Sequence, residues 1–198
     1  MRIYLEAGMR IIDSVAELET LAQDSFADCN NATAYNLPVV FGHWSAGSYG
    51  KPYEDYHVCI MGNGQIVVCC ESLADRKAHT WRRNSGNVAV SMMCCAGADT
   101  NSLGDYPPTP AQIENFCRAV AAILKGFGYT NCTVDNFRTH GEQAYIDGYG
   151  LGSGDPQTRW DLSFLADGET LDSGGDVLRG KINYYMTNDD NELSTNDM

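Results

Sequence analysis

Positive charge is scarce in this sequence. Thirteen Lys and Arg face 26 Asp and Glu, a formal net charge of −13. A polyanion gains no steering from such a field, which argues against nucleic acid as a partner. Any binding to an acidic cell wall must be local for the same reason. Long apolar runs are also missing. No stretch approaches the roughly 18 apolar residues of a membrane helix, which argues against stable membrane insertion. The opening residues, MRIYLEAGMRIIDSVAELET, place Glu6 and Arg10 where a signal peptide keeps an apolar core. The expectation is a chain made in a cytoplasm without a signal peptide. No CxxC pair occurs among the eight cysteines, which argues against a cysteine zinc ribbon. No HExxH motif occurs either, so any metal ligands must come from distant segments.

The cysteines that are present, Cys29, Cys59, Cys69, Cys70, Cys94, Cys95, Cys117 and Cys132, sit mostly in apolar runs. They read as reduced thiols used as small hydrophobes. A disulfide framework is the alternative. The length of 198 residues suits one domain with a sizeable core.

Residues 12–25 read as a helix, with Ser14 and Glu17 at capping-box spacing. Pro38 to Trp44 reads as a buried strand. Tyr56–Met61 and Gln65–Cys70 flank Gly62-Asn63-Gly64, a hairpin signal. Asn87 to Cys94 is a further strand. Thr109-Pro110 opens a helix through Lys125, with Ile113, Phe116, Cys117, Val120, Ile123 and Leu124 at helical spacing. Thr133 to Arg138 reads as the last strand. Residues 146–161 form a Gly-rich loop with no apolar period, a type that is often functional. The fold class expected is α/β, a single-layer mixed central β-sheet flanked by helices. Three segments follow: 1–35 as an N-terminal helical extension packed on the domain, 36–186 as the catalytic domain, and 187–198 as a disordered acidic tail. A monomer is favoured.

Only four histidines occur: His43, His57, His79 and His140. His43 and His140 each end a strand, and Asp161 closes the Gly-rich loop. Two imidazoles and a carboxylate can make a catalytic zinc site with an open position for water. A lone histidine at a strand end is more often structural, and spacing alone leaves both readings open.

The order of the pieces resembles the zinc-dependent N-acetylmuramoyl-L-alanine amidases, which include phage lysozyme-type amidases and peptidoglycan recognition proteins. The pieces are the strand ending in His43 with Ser45-Ala46, then Asp55-Tyr56-His57, the turn Gly62-Asn63-Gly64, and Ala78-His79 with Asn84-Ser85. The strand Val88-Ala89-Val90, the helix start at Thr109–Gln112, His140 with Glu142, and Arg159-Trp160-Asp161 complete the series. The resemblance spans about residues 36–165 and agrees with the fold class above. It implies that His43, His140 and Asp161 bind Zn2+, and that Tyr56 lies beside the reactive water. It implies that Arg159 stabilises an oxyanion, and that His79 and Asn84 line a substrate groove. His57, next to Tyr56 on a strand, is expected on the opposite face and is left out.

Two positions depart from the family pattern. Arg159 stands where lysine is common, and the two cations differ in geometry. Ser91 stands where some members carry a Glu as general base. The function implied is hydrolysis of the amide between N-acetylmuramic acid and L-alanine in peptidoglycan or muropeptides. Without a signal peptide, the setting expected is a phage endolysin that acts on the wall after release; muropeptide recycling in a cytoplasm is the other. A module that binds peptidoglycan fragments without cutting, or a zinc peptidase acting on the stem peptide, are the rival readings. Asp155 is the alternative third ligand should Asp161 fail to bind.

Overall fold

A computed structural model describes residues 3, 5–171, 173–188 and 192–195. Ten elements follow one another: β1 (Arg10–Ile12), α1 (Ala16–Ala32), β2 (Val40–Trp44), β3 (Val58–Ile60), β4 (Ile66–Val68), β5 (Val88–Met92), α2 (Pro110–Gly126), β6 (Phe137–Thr139), α3 (His140–Ile146) and α4 (Gly174–Thr187). The result is a mixed α/β fold with one six-stranded sheet, ordered β1-β4-β3-β5-β2-β6. Strands β3, β5, β2 and β6 run parallel to one another, while β4 pairs antiparallel with β3 and with β1.

The central strands are short and buried at every position. Burial on both faces explains why they read as near-continuous apolar runs. Side chains still alternate between faces. Val40 and Trp44 of β2, Val58 and Ile60 of β3, Ile66 and Val68 of β4, and Val88, Val90 and Met92 of β5 join one core. In that core they meet Leu18 and Ala22 of α1, Phe116 and Val120 of α2, and Leu178 and Ile182 of α4. The other face carries the alternate residues, including Phe41, His43, Ala89 and Ser91. A smaller apolar cluster of Cys59, Met61, Val67, Cys69 and Met93 continues that face.

Helix α2 lies between the sheet and the other helices, so it is buried on most of its surface. Its start follows the sequence reading: Thr109 caps it, with a reciprocal bond from Gln112 and Pro110 in the first turn. Gln112 also donates through Nε2 to Ile60 O (3.0 Å) and Met93 O (2.9 Å), fastening the helix to the ends of β3 and β5. Gly126 closes the helix where α1 passes, and a Cβ there would meet Glu19 O at 2.4 Å.

Several boundaries differ from expectation. Helix α1 starts at Ala16, because Ile11 and Ile12 are drawn into edge strand β1 against Val67 and Ile66. The 1–35 stretch thus contributes a strand as well as a helix. No capping box forms at α1; Ser14 Oγ only accepts from Ala16 N, at 3.2 Å. The last strand begins at Phe137, because Thr133 and Asn136 close a turn on each other (2.8 and 3.2 Å). Helix α4 has no counterpart in the sequence reading, though Leu178, Ile182 and Tyr185 bury one face at helical spacing. Of the stretch 187–198, read as a disordered acidic tail, residues 189–191 and 196–198 lie outside the described residues. Of the rest, Thr187 ends α4, and Ser194 exchanges backbone bonds with the Asn115 carboxamide at 2.9 and 2.8 Å. Gly64 in the hairpin turn has φ 89, and a Cβ there would meet Ser194 O at 2.4 Å. All eight cysteines are free and buried, as small hydrophobes should be.

Candidate metal centre

The site is built on the sheet face away from the three packed helices. His43 is the fourth residue of β2, one step before Trp44, which turns into the helix-side core. His140 arrives from β6, the parallel neighbour of β2. There the chain passes from strand to helix with no intervening loop. A capping box makes this possible: Glu142 N donates to Thr139 Oγ1 (3.1 Å), and Thr139 N donates to Glu142 Oε2 (2.8 Å). Arg179 of α4 grips the same Glu142 carboxylate at 2.7 Å. Glu142, noted in the sequence for its closeness to His140, is therefore a brace for that histidine's helix. Asp161 comes from the end of the Gly-rich loop, and its carbonyl accepts from Gly141 N at 3.2 Å. Leu162 follows in the left-handed region, φ 63, with its side chain in the helix-side core.

The three side chains converge. His43 Nδ1 lies 3.1 Å from Asp161 Oδ2, and His140 Nδ1 lies 3.0 Å from Asp161 Oδ1. All three are buried, and their possible ligand atoms lie within 4.8 Å of one another. Burial raises the Asp161 carboxyl, but the neighbouring His140 and His43 outweigh it and hold the group well below the usual carboxylate range. Burial lowers His43, which favours its neutral ring. A carboxylate and a neutral imidazole are the forms that bind metal.

The donor set fits a metal ion on two counts. Zinc with bonds of about 2.0–2.1 Å in a tetrahedron sets its ligand atoms about 3.3 Å apart, and the three residues offer one donor atom each within 4.8 Å of one another, so small side-chain rotations meet that spacing. Ligating histidines also commonly bond outward through their second nitrogen. Here His43 Nε2 meets Thr80 Oγ1 at 3.3 Å, and His140 Nε2 meets the Tyr149 hydroxyl at 3.4 Å. The group can hold a metal ion; its geometry does not choose among metals.

A cleft of about 580 Å³ opens over His140. Its walls come from residues 78–84 and from the Gly-rich loop. His79, Asn84 and Arg159 line it, together with Trp81, Tyr149 and Asp155. Asn84 has a structural task as well: its Oδ1 accepts from His79 N (3.2 Å) and Thr80 N (2.9 Å), shaping the segment that carries both. The Arg159 guanidinium is folded onto its own loop, donating to Gln157 O at 2.7 Å and Thr158 O at 3.1 Å. Asp155 lies in the cleft wall, bonded to Gln157 N at 2.7 Å, and outside the metal-competent trio.

Tyr56 packs its ring 5.3 Å from that of His43. Burial, then the Asp161 charge, push its hydroxyl pKa well up, against a hydrogen bond with Ser91. Ser91 stands in register beside His43 on β5. The expectation for His57 is overturned. It does not point away from Tyr56; its ring lies 5.8 Å from that of His79, on the site's face. Strand alternation does not govern the pair, because Tyr56 lies in a turn, its N donating to Tyr53 O at 3.4 Å, whereas the His57 backbone is already bonded to Ala89 O and Cys69 N. His57 is nonetheless structural: it accepts from Ala89 N at 3.0 Å and donates to Asp75 O at 2.7 Å. Thr80 and Tyr149 escaped the sequence reading. Thr80 offered only its position next to His79, and Tyr149 sits in a loop without periodicity.

No family model, no curated protein and no solved structure matches this chain.

Proposed function

We propose that this chain is a zinc-dependent amidase that cuts the bond between N-acetylmuramic acid and L-alanine in peptidoglycan. One observation carries the reading: His43, His140 and Asp161, from three distant segments, meet as a buried metal-competent trio beside an open cleft. The order of motifs along the chain supplies the substrate class. Zinc held there would supply Lewis acidity toward the scissile carbonyl and lower the pKa of a water toward about 7.

The chain's own residues divide the remaining work. His79 and Asn84 wall the cleft in which the glycopeptide lies. Tyr56 keeps its hydroxyl protonated at neutral pH, so it serves as a hydrogen-bond donor that orients a water and not as a base. Arg159 reaches a developing oxyanion only by releasing its bonds to Gln157 and Thr158. Purified protein incubated with isolated peptidoglycan tests the reading. Chelator-sensitive release of alanine amino termini is the expected outcome. No release by zinc-loaded protein would refute the amidase reading.

One feature favours a second reading, a module that binds muropeptides without cutting them. The residue in register beside His43 is Ser91, which has no carboxylate to take a proton. Tight muropeptide binding with no turnover is what that reading expects.

A further inference from the structure

His43 is linked through its outward nitrogen to a second histidine. Thr80 Oγ1 lies 3.3 Å from His43 Nε2 and 2.9 Å from His79 Nδ1. The three side chains are buried, with residue exposures of 1% for His43, 1% for Thr80 and 7% for His79. A hydroxyl has one hydrogen to donate and two lone pairs to accept with. It cannot donate to both rings. Where one imidazole accepts from Thr80, the other must donate to it, so the two rings cannot choose their tautomers independently.

Two arrangements follow, and the second places a hydrogen on His79 Nε2, a buried atom without a hydrogen-bond partner, so it forms only where metal binding at His43 drives it. In the metal-free protein, the Asp161 carboxylate only accepts, and it faces His43 Nδ1 at 3.1 Å. His43 therefore carries its hydrogen on Nδ1. Its Nε2 accepts from the Thr80 hydroxyl, and His79 donates its Nδ1 hydrogen to the Thr80 oxygen. With a metal on His43 Nδ1, that nitrogen must be bare. The His43 hydrogen then sits on Nε2 and is donated to Thr80. Thr80 turns its own hydrogen toward His79 Nδ1, which must be bare in turn. Each ring stays neutral and moves one hydrogen from Nδ1 to Nε2, so no proton is gained or lost overall.

We infer that Thr80 is a positioning residue that couples metal occupancy at His43 to the tautomer of His79 in the cleft wall. The inference rests on the metal reading of the trio. It adds that the cleft histidine reports whether the metal is in place.

Long-range proton–nitrogen NMR spectra of the imidazoles test it, on the full chain with and without zinc chloride, for wild type, Thr80→Val and Thr80→Ser. In wild type, zinc should shift the Nδ1 signals of His43 and His140 and turn His79 from the Nδ1–H to the Nε2–H form. Thr80→Ser keeps the hydroxyl and should behave alike. Thr80→Val should still load zinc, with about 10–100-fold weaker affinity, and leave His79 unswitched. A wild-type His79 that keeps one tautomer with and without zinc overturns the coupling. So does a switch that persists in Thr80→Val. If His43 and His140 themselves do not respond to zinc, the metal reading falls, and the coupling with it.

Discussion

The two faces of β2 are equally buried and chemically opposite. On β2 every residue is buried, yet Val40 and Trp44 enter an apolar core while His43 faces two histidines and an aspartate. The helix-side face is stabilised by apolar area removed from water, a term without direction. Around His43 the other face is held by directional bonds among polar groups that burial alone would penalise, beside the smaller apolar cluster of Cys59, Met61, Val67, Cys69 and Met93. Packing should therefore govern stability on one face, and ligand chemistry should govern function on the other.

The sharpest way to break that contrast is to remove the shared carboxylate. Asp161→Ala should lower zinc affinity by more than the roughly 100-fold expected for an outer partner, measured by titration against a chelator. Normal zinc binding would shift the assignment to Asp155. The mirror experiment is Phe116→Ala, in the helix-side core with no measurable exposure. It should cost about 3–5 kcal/mol in urea unfolding and leave zinc affinity unchanged. A matching loss of zinc affinity would show that the two faces are not separable.

Arg159→Ala should lower turnover about 10²–10³-fold with zinc retained, if the guanidinium reaches an oxyanion. Undiminished turnover would mean that it only braces its loop through Gln157 and Thr158. The fourth test sharpens the contrast through pH. Burial pushes His57 down to about 4, below the roughly 6.5 of an exposed histidine. Between those values the unfolded chain binds a proton that the folded chain refuses. The contribution from His57 is thus full above about 6.5 and declines as pH falls toward about 4, by about 3 kcal/mol in all. Urea unfolding at pH 7.5 and 4.5 should show the loss, and His57→Gln should make it smaller, leaving the part due to the other buried histidines, His43 and His79. An equal loss in that variant would place the titration elsewhere.

Legibility in the sequence followed how local each signal is. Thr109-Pro110 with Gln112 is complete within four residues, and the helix starts there. The hairpin at Gly62-Asn63-Gly64 is equally local, and β3 and β4 pair across it. Ser14 and Glu17 had the same kind of spacing, but sheet pairing took Ile11 and Ile12 and moved the helix start past Ser14. Alternation misplaces His57 because Tyr56 lies in a turn and not in the strand. Among the site residues, His43 and His140 were legible as strand-end histidines. Asp161 was singled out by motif order, and nothing local set it apart from Asp155.

The sequence by itself determined the apolar strands, the two long-range histidines and the capped central helix, because those depend on composition and on neighbours a few residues apart. The tertiary structure decided which carboxylate meets the two imidazoles, and that Thr80 and Tyr149 occupy their outer nitrogens. Those contacts join residues up to 118 positions apart in the chain. No local periodicity encodes them; they arise where parallel strands β2 and β6 deliver their ends to one place.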